Sequence, residues 1–327
     1  MPLPKSLGLF FIFLSADSFP KSIVTYLHKL LTSTLKGVAQ VCLQDSPLTG
    51  AFFLLAIALY SPVYAVCALA GAMLSTRFAF LKAKGHFIKE GDVENGLYGF
   101  NGSLIGISIA AFLPMNIWSI LLLGLACVFS VQLVIWVAAR SRVPLFTMPF
   151  IIVAMFVYGL GQSLNLSGLE AVPFFQQTFP LPLFESIGQI FLLPNAVSGI
   201  CILLGFLVAS VRAFFITLWA VGLAFFLAQE IGMNETALST GLFGFCAILT
   251  AHALCLPSAR ESAWDQSHFL PYKIILGVIF SVLITQVFIL AHLSFFTLPF
   301  VLSVWSIQVL GQLPVGKVSG LLKRVRA

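Results

Sequence analysis

"GLYGFNGSL", residues 96–104, returns as "GLFGFCAIL", residues 241–249. Both stretches lie in uncharged, apolar surroundings. Both place a Leu four residues after a Phe: Phe100 with Leu104, and Phe245 with Leu249. On a helix that spacing puts the two side chains on one face. Two further phrases recur in the same order. "QVCLQDSPLTG" (40–50) matches "QIFLLPNAVSG" (189–199), and "LFTMPF" (145–150) matches "FFTLPF" (295–300). The copies lie 149, 145 and 150 positions apart, counted from Gln40 to Gln189, Gly96 to Gly241 and Thr147 to Thr297. Three matches in register identify one unit of about 150 residues, duplicated.

The composition sets the solvent. Of 327 residues 60% are hydrophobic and 9% charged, with a mean hydropathy of +1.05. No soluble domain buries so much apolar surface, so the chain is built for lipid. No charge falls between Asp45 and Arg77, between Glu94 and Arg140, or between Lys273 and Lys317. A spanning helix takes about 20 apolar residues, so the longer gaps hold two passes each and roughly ten spans are expected. The net charge of +6 does not point to nucleic acid, because the bases flank the apolar runs: Arg77, Lys82, Lys84, Lys89, Arg140, Arg142, Lys317, Lys323, Arg324 and Arg326. That is the pattern of cytoplasmic loops and tails. From Val143 to Val211 the only charges are Glu170 and Glu185, which marks the middle of that segment as external. Cys42, Cys67, Cys127, Cys201, Cys246 and Cys255 all lie in apolar surroundings with no CxxC, so neither zinc nor a disulfide framework is signalled. "LGLFFIFL" (7–14) resembles a short signal-peptide core, but Asp17 follows soon and no small-residue cleavage site is clear. An interfacial helix or an over-long start fits it better.

If each unit has an odd number of spans, the second inserts upside down. Basic termini inside and a base-free middle outside agree with that. Inverted repeats build their shared site near the mid-plane, often at broken helices. The Pro-containing "TMPF" and "TLPF" segments are expected to be such breaks, since Pro frees a carbonyl one turn earlier. The expected layout is an N-terminal segment (1–28), a first transmembrane repeat (29–166), an external linker (167–178), a second repeat (179–314) and a basic cytoplasmic tail (315–327).

Ion or proton transport leaves ionisable groups inside the membrane. Here only His252 and His292 are interior candidates, and no acidic pair sits within a span. That favours passive passage of a neutral solute. Phe100 with Leu104 and Phe245 with Leu249 can wall a flat slot, which admits a thin planar molecule and excludes hydrated ions. Thr147 and Thr297 offer hydroxyls, and Gln40 and Gln189 offer amides that both donate and accept. Each feature also has a packing explanation. Gly102 and Gly106 form a GxxxG face, a Thr in a span bonds its own backbone, and the 33 Phe of the chain are mostly core or lipid-facing.

These motifs resemble the urea transporter family, the channel-like proteins of bacteria and animals, over roughly residues 30 to 312. The resemblance implies an all-α integral membrane protein with two inverted-topology five-helix repeats, re-entrant segments and one pore per subunit of a homotrimer. It implies passive urea transport through a filter of three zones. Gln40 and Gln189 fall where the family binds urea at the outer zones. Val41 and Ile190 line the same zones, and Leu43 takes a place that can be aromatic in relatives. The slot residues are Phe100, Leu104, Phe245 and Leu249, and Thr147 and Thr297 fall on the central constriction. Three departures are visible: Gln189 where some relatives carry Glu, Leu43 in place of an aromatic, and Cys246 where the first half has Asn101. The implied location is the plasma (bacterial inner) membrane with both termini cytoplasmic and lipid around it. Urea is the solute, with a functional link to a cytoplasmic urease, no nucleic-acid partner and no cofactor. The alternative is a channel for ammonia or another small neutral amide. Asn-Pro-Ala motifs of a water channel are absent, and no nucleophile with a base, aspartate pair or HExxH suggests an enzyme.

Overall fold

The computed structural model describes residues 21–141, 143–168, 173–174, 181–256 and 263–312. Arg142, Glu170, the 7–14 run and the basic tail lie outside these residues. All regular structure among the described residues is helical. The first series is α1 (Lys21–Gln40), α2 (Pro47–Tyr60), α3 (Pro62–Lys84), α4 (Glu90–Glu94), α5 (Phe100–Phe112), α6 (Ile117–Ala138) and α7 (Met148–Ser163). The second is α8 (Pro182–Gly188, continued by a 3-10 turn Gln189–Phe191), α9 (Ala196–Ala209), α10 (Val211–Glu230), α11 (Glu235–Ser239), α12 (Phe245–Leu254), α13 (Ala263–Leu290) and α14 (Leu298–Gln312).

Because almost every residue is apolar, the polar ones decide where helices begin. Ser61 ends α2 and starts α3, with its side chain accepting from Tyr64 N and Pro62 at the first helical position. Ser210 does the same between α9 and α10, accepting from Ala213 N. An extended Ser that satisfies an orphan amide turns the chain with no loop. Asn116 opens α6 with a capping box to Ser119.

Among the described residues four helices are long and apolar enough to cross a membrane: α3, α6, α10 and the Pro271–Leu290 part of α13. A fifth span results if α8 with its 3-10 turn is joined to α9 across a 74° bend. Five further apolar helices have 10–17 residues, among them α2, α5, α7 and α12. Of the roughly ten spans expected, four to five are thus visible as helices that reach the length of a span by themselves among the described residues, and several other apolar runs are divided by turns into shorter helices. Pro149 and Pro299 also differ from expectation. Each is the second residue of its helix, α7 or α14, where the missing N–H is an orphan anyway, so each starts a helix rather than breaking one.

Lipid gives no hydrophobic drive between helices, so contact rests on close approach and hydrogen bonds. A Cβ on Gly102 would lie 2.3 Å from Gly71 O, and one on Gly106 would lie 2.0 Å from Cys67 O, so α5 and α3 touch backbone to backbone. The two series meet along α2 and α9. Phe53 packs on Phe191 and Phe206 with ring centroids 5.5 and 5.6 Å away, and Ser198 Oγ donates to Ala56 O at 3.0 Å. His252 is buried and stacked on Phe206 at 4.7 Å. Thr217 Oγ1 donates to Ala213 O and lies 2.9 Å from His252 Nε2, so the ring nitrogen carries the proton and donates to it. Gln44 Nε2, from the first series, lies 3.5 Å from His252 Nδ1. His252 thus packs and ties the series together. His292 is exposed and is not an interior group.

Candidate functional site

Gln40 is the last residue of α1, and Gln189 directly follows α8 as the first residue of its 3-10 turn. Gln40 Nε2 donates to Asn95 O at 3.0 Å, and Gln189 Nε2 donates to Thr240 O at 2.9 Å. A carbonyl partner fixes the amide orientation, so Oε1 is the free acceptor in both. No donor among the described residues reaches either Oε1. Val41 and Ile190 follow and are buried. Leu43 (φ 59°) and Leu192 (φ 60°) then turn the chain in the left-handed region. That is uncommon for a residue with a Cβ, and its recurrence shows that both turns are imposed by packing.

The carbonyls that hold the Gln amides precede Gly96 (φ +80°) and Gly241 (φ +73°). Glycine is required at these two positions for space as well as conformation. A Cβ would fall 2.5 Å from Gly37 N in one copy and 2.3 Å from Ser186 N in the other. Four residues later Phe100 and Phe245 begin α5 and α12. Leu104 and Leu249 are fully buried one turn on, Phe245 is buried and stacks on Phe295 at 6.1 Å, and Phe100 is half-buried.

Thr147 and Thr297 are brought together. Their hydroxyls are 2.7 Å apart, and both residues are buried. Each immediately precedes a helix whose second residue is Pro, and each follows a Phe in the left-handed region, Phe146 at 48° and Phe296 at 45°. Neither Thr uses its hydroxyl as a helix cap; among the described residues each hydroxyl bonds only the other. Behind the pair, Asn101 Nδ2 donates to Phe146 O at 3.4 Å and its Oδ1 accepts from Phe150 N at 3.2 Å. In the other copy Cys246 Sγ reaches Phe296 O at 3.5 Å. Gln40 and Gln189 share no hydrogen bond with each other or with the Thr pair. Among the described residues no group of three His, Cys, Asp or Glu is placed to hold a metal ion.

Residues 31–312 match the family described as urea transporter. The chain belongs to the urea transporter family. Urea transporter 1 of Rattus norvegicus is 37% identical over 118 residues, 36% of this chain and 30% of the rat protein. Urea transporter 1 of Mus musculus is 25% identical over 162 residues, 48% of this chain and 38% of the mouse protein. That of Ovis aries is 37% identical over 99 residues, 30% of this chain and 25% of its own length. The chain thus spans roughly a third of these curated relatives.

Three features of this family member were not read from the sequence. The Asn95 and Thr240 carbonyls as amide anchors and the Gln44–His252 tie depend on partners distant in sequence, whereas the twin Ser61 and Ser210 junctions are local caps on the amides three residues on. The recurring Gly96 and Gly241 were the visible signal for the first. Asn101 has a testable role. Asn101→Leu leaves the Phe150 amide and the Phe146 carbonyl without their side-chain partner, at about 1–3 kcal/mol for an unsatisfied buried group. A lower melting temperature in detergent is expected, while Cys246→Asn is expected to be neutral or stabilising. Equal melting temperatures for Asn101→Leu and wild type would show that Asn101 anchors nothing.

Proposed function

We propose that this protein conducts urea passively across the membrane through a filter shared by its two halves. The carrying observation is the Thr147–Thr297 hydroxyl pair, formed where two equivalent helix starts meet. Urea offers four N–H donors and a carbonyl acceptor on a flat frame. At each mouth the Gln Nε2 is tied to backbone, so Oε1 of Gln40 or Gln189 faces an incoming N–H. Phe100 with Leu104, and Phe245 with Leu249, then stack on the flat faces, while Val41, Ile190 and Leu43 complete the walls. A hydrated ion would lose its water there without compensation, so ions are excluded. At the centre the two hydroxyls part and each accepts from or donates to the solute. Every site holds urea weakly enough to release it onward.

The halves are read as inverted copies. α3 ends in Lys82 and Lys84, whereas its counterpart α10 ends in Glu230, and no Lys or Arg falls between Arg212 and Arg260. The positive-inside rule then puts the Gln40 mouth in the cytoplasm and the Gln189 mouth outside. On the family's pattern the assembly is a homotrimer with a pore in each subunit, in the plasma (bacterial inner) membrane. Both termini are then cytoplasmic, and a cytoplasmic urease would consume the solute.

The urea relatives and the uncharged filter support this reading together. It is tested by exchange of labelled urea across proteoliposomes with equal urea on both sides. The expected exchange is fast and unchanged by collapsing the sodium and proton gradients. Exchange that stops without a gradient would contradict passive conduction.

A further inference from the structure

We propose that the surface formed by the C-terminal ends of α3 and α6 binds the phosphate of an anionic phospholipid headgroup. Lys82 Nζ lies over two rings, 5.2 Å from the Phe78 centroid and 5.5 Å from that of Phe87. Arg140 lies 4.4 Å over the Trp136 ring and donates from Nη1 to Trp136 O at 3.0 Å. The two ends form one surface, because Phe78, Ala83 and Ile88 pack on the same small apolar cluster as Ile135 of α6. Rings that hold a cation from below leave its outer N–H donors for a ligand, and Arg140 keeps four of its five.

The charge there is not neutralised within the protein. Glu90 and Glu94 are both taken by Lys29, at 2.5 Å each. Lys29 offsets only one of those two carboxylates and Lys84 acts on Glu90 through space, so with Asp92 two negative charges stand against the four bases Lys82, Lys84, Lys89 and Arg140, none of which forms an ion pair among the described residues. The α3 dipole favours Lys in its last turn, yet Lys82 sits over rings and bonds no carbonyl among the described residues. Phe87 is 70% exposed and Trp136 52% exposed beside these cations. Aromatic rings with bases at a helix end are placed for the layer where lipid phosphates lie. The matching end of the second half, where α10 gives way to α11, carries Glu230 and Glu235 and no base. The site therefore belongs to one membrane face only.

The test uses the purified full chain in detergent micelles, titrated with phosphatidylglycerol or phosphatidylcholine and read by native mass spectrometry. Phosphatidylglycerol is expected to bind at least about tenfold more tightly, and the triple variant Lys82→Gln/Lys84→Gln/Arg140→Gln to lose that preference. Lys82→Arg/Lys84→Arg is expected to keep it. If the triple variant does not fold, the exposed pair Lys84→Gln/Lys89→Gln is expected to weaken the preference about threefold. Equal affinity for the two lipids would overturn the proposal, as would an unchanged preference in the glutamine variants. Free glycerol 3-phosphate displacing the lipid at equal concentration would also overturn it, by assigning the site to a soluble phosphate.

Discussion

Thr297→Val is expected to cut urea flux by about tenfold or more, and Thr147→Val by a similar factor. Both hydroxyls are buried and have only each other, at 2.7 Å. Val matches the shape of Thr and removes the polar atom. A urea N–H at that level then finds one acceptor fewer, and an unpaired buried donor costs about 1–3 kcal/mol. Each factor of ten in rate corresponds to about 1.4 kcal/mol. Thr297→Ser keeps a hydroxyl and is expected to stay within about threefold of wild type. The Thr147→Val/Thr297→Val double is expected to be slowest while folding as well as either single variant, because neither hydroxyl is then left alone. Stopped-flow flux per folded protein, with melting temperatures alongside, checks all four. Wild-type rates in both single variants would move the narrowest point of the filter elsewhere.

The second large effect is on folding at the repeated glycine. Gly241→Ala is expected to cost about 2–5 kcal/mol of stability, combining strain at positive φ with overpacking. The backbone is at φ +73°, and the new Cβ would sit 2.3 Å from Ser186 N in α8, a backbone atom that cannot step aside. Shifting this turn also displaces the Thr240 carbonyl that holds Gln189. Gly96→Ala is expected to act alike, since its Cβ would meet Gly37 N at 2.5 Å and move the Asn95 carbonyl. Gly232→Ala separates the two causes. Its φ is +67° but nothing lies within 4 Å of its Cβ, so only the strain of about 1 kcal/mol remains. Thermal unfolding in detergent should rank Gly241→Ala and Gly96→Ala well below Gly232→Ala. Equal losses at all three would mean that close approach to α1 and α8 contributes nothing.

The recurring motifs were legible because they hold residues that only one geometry tolerates. Gly96 and Gly241 cannot carry a side chain, and the Gln and Thr of each copy have fixed polar partners. Those positions survive in an otherwise interchangeable apolar background. Span number was less legible. Hydropathy measures how long a run stays apolar and is blind to where it turns. Here the turns fall at Leu43, Phe146, Leu192 and Phe296, all at positive φ and all ordinary apolar residues by type. Local propensity argues against each of them, and only the packed neighbours hold them there. Pro149 and Pro299 looked like interruptions because Pro disrupts a helix interior. At the second helical position it does the opposite, and sequence alone does not say which position it holds. His252 and His292 looked equivalent by type, yet one is a buried tie between halves and the other an exposed residue in the turn after α13. That difference is made by Phe206, Thr217 and Gln44, none of them near His252 in sequence.

Passive, selective urea conduction is tested most directly by stopped-flow light scattering of proteoliposomes against protein-free vesicles, with urea or glycerol outside and no ion gradient. Fast, saturable urea entry with glycerol entry close to the protein-free rate is the predicted result. Urea entry no faster than in protein-free vesicles, from protein shown to be folded, would contradict it.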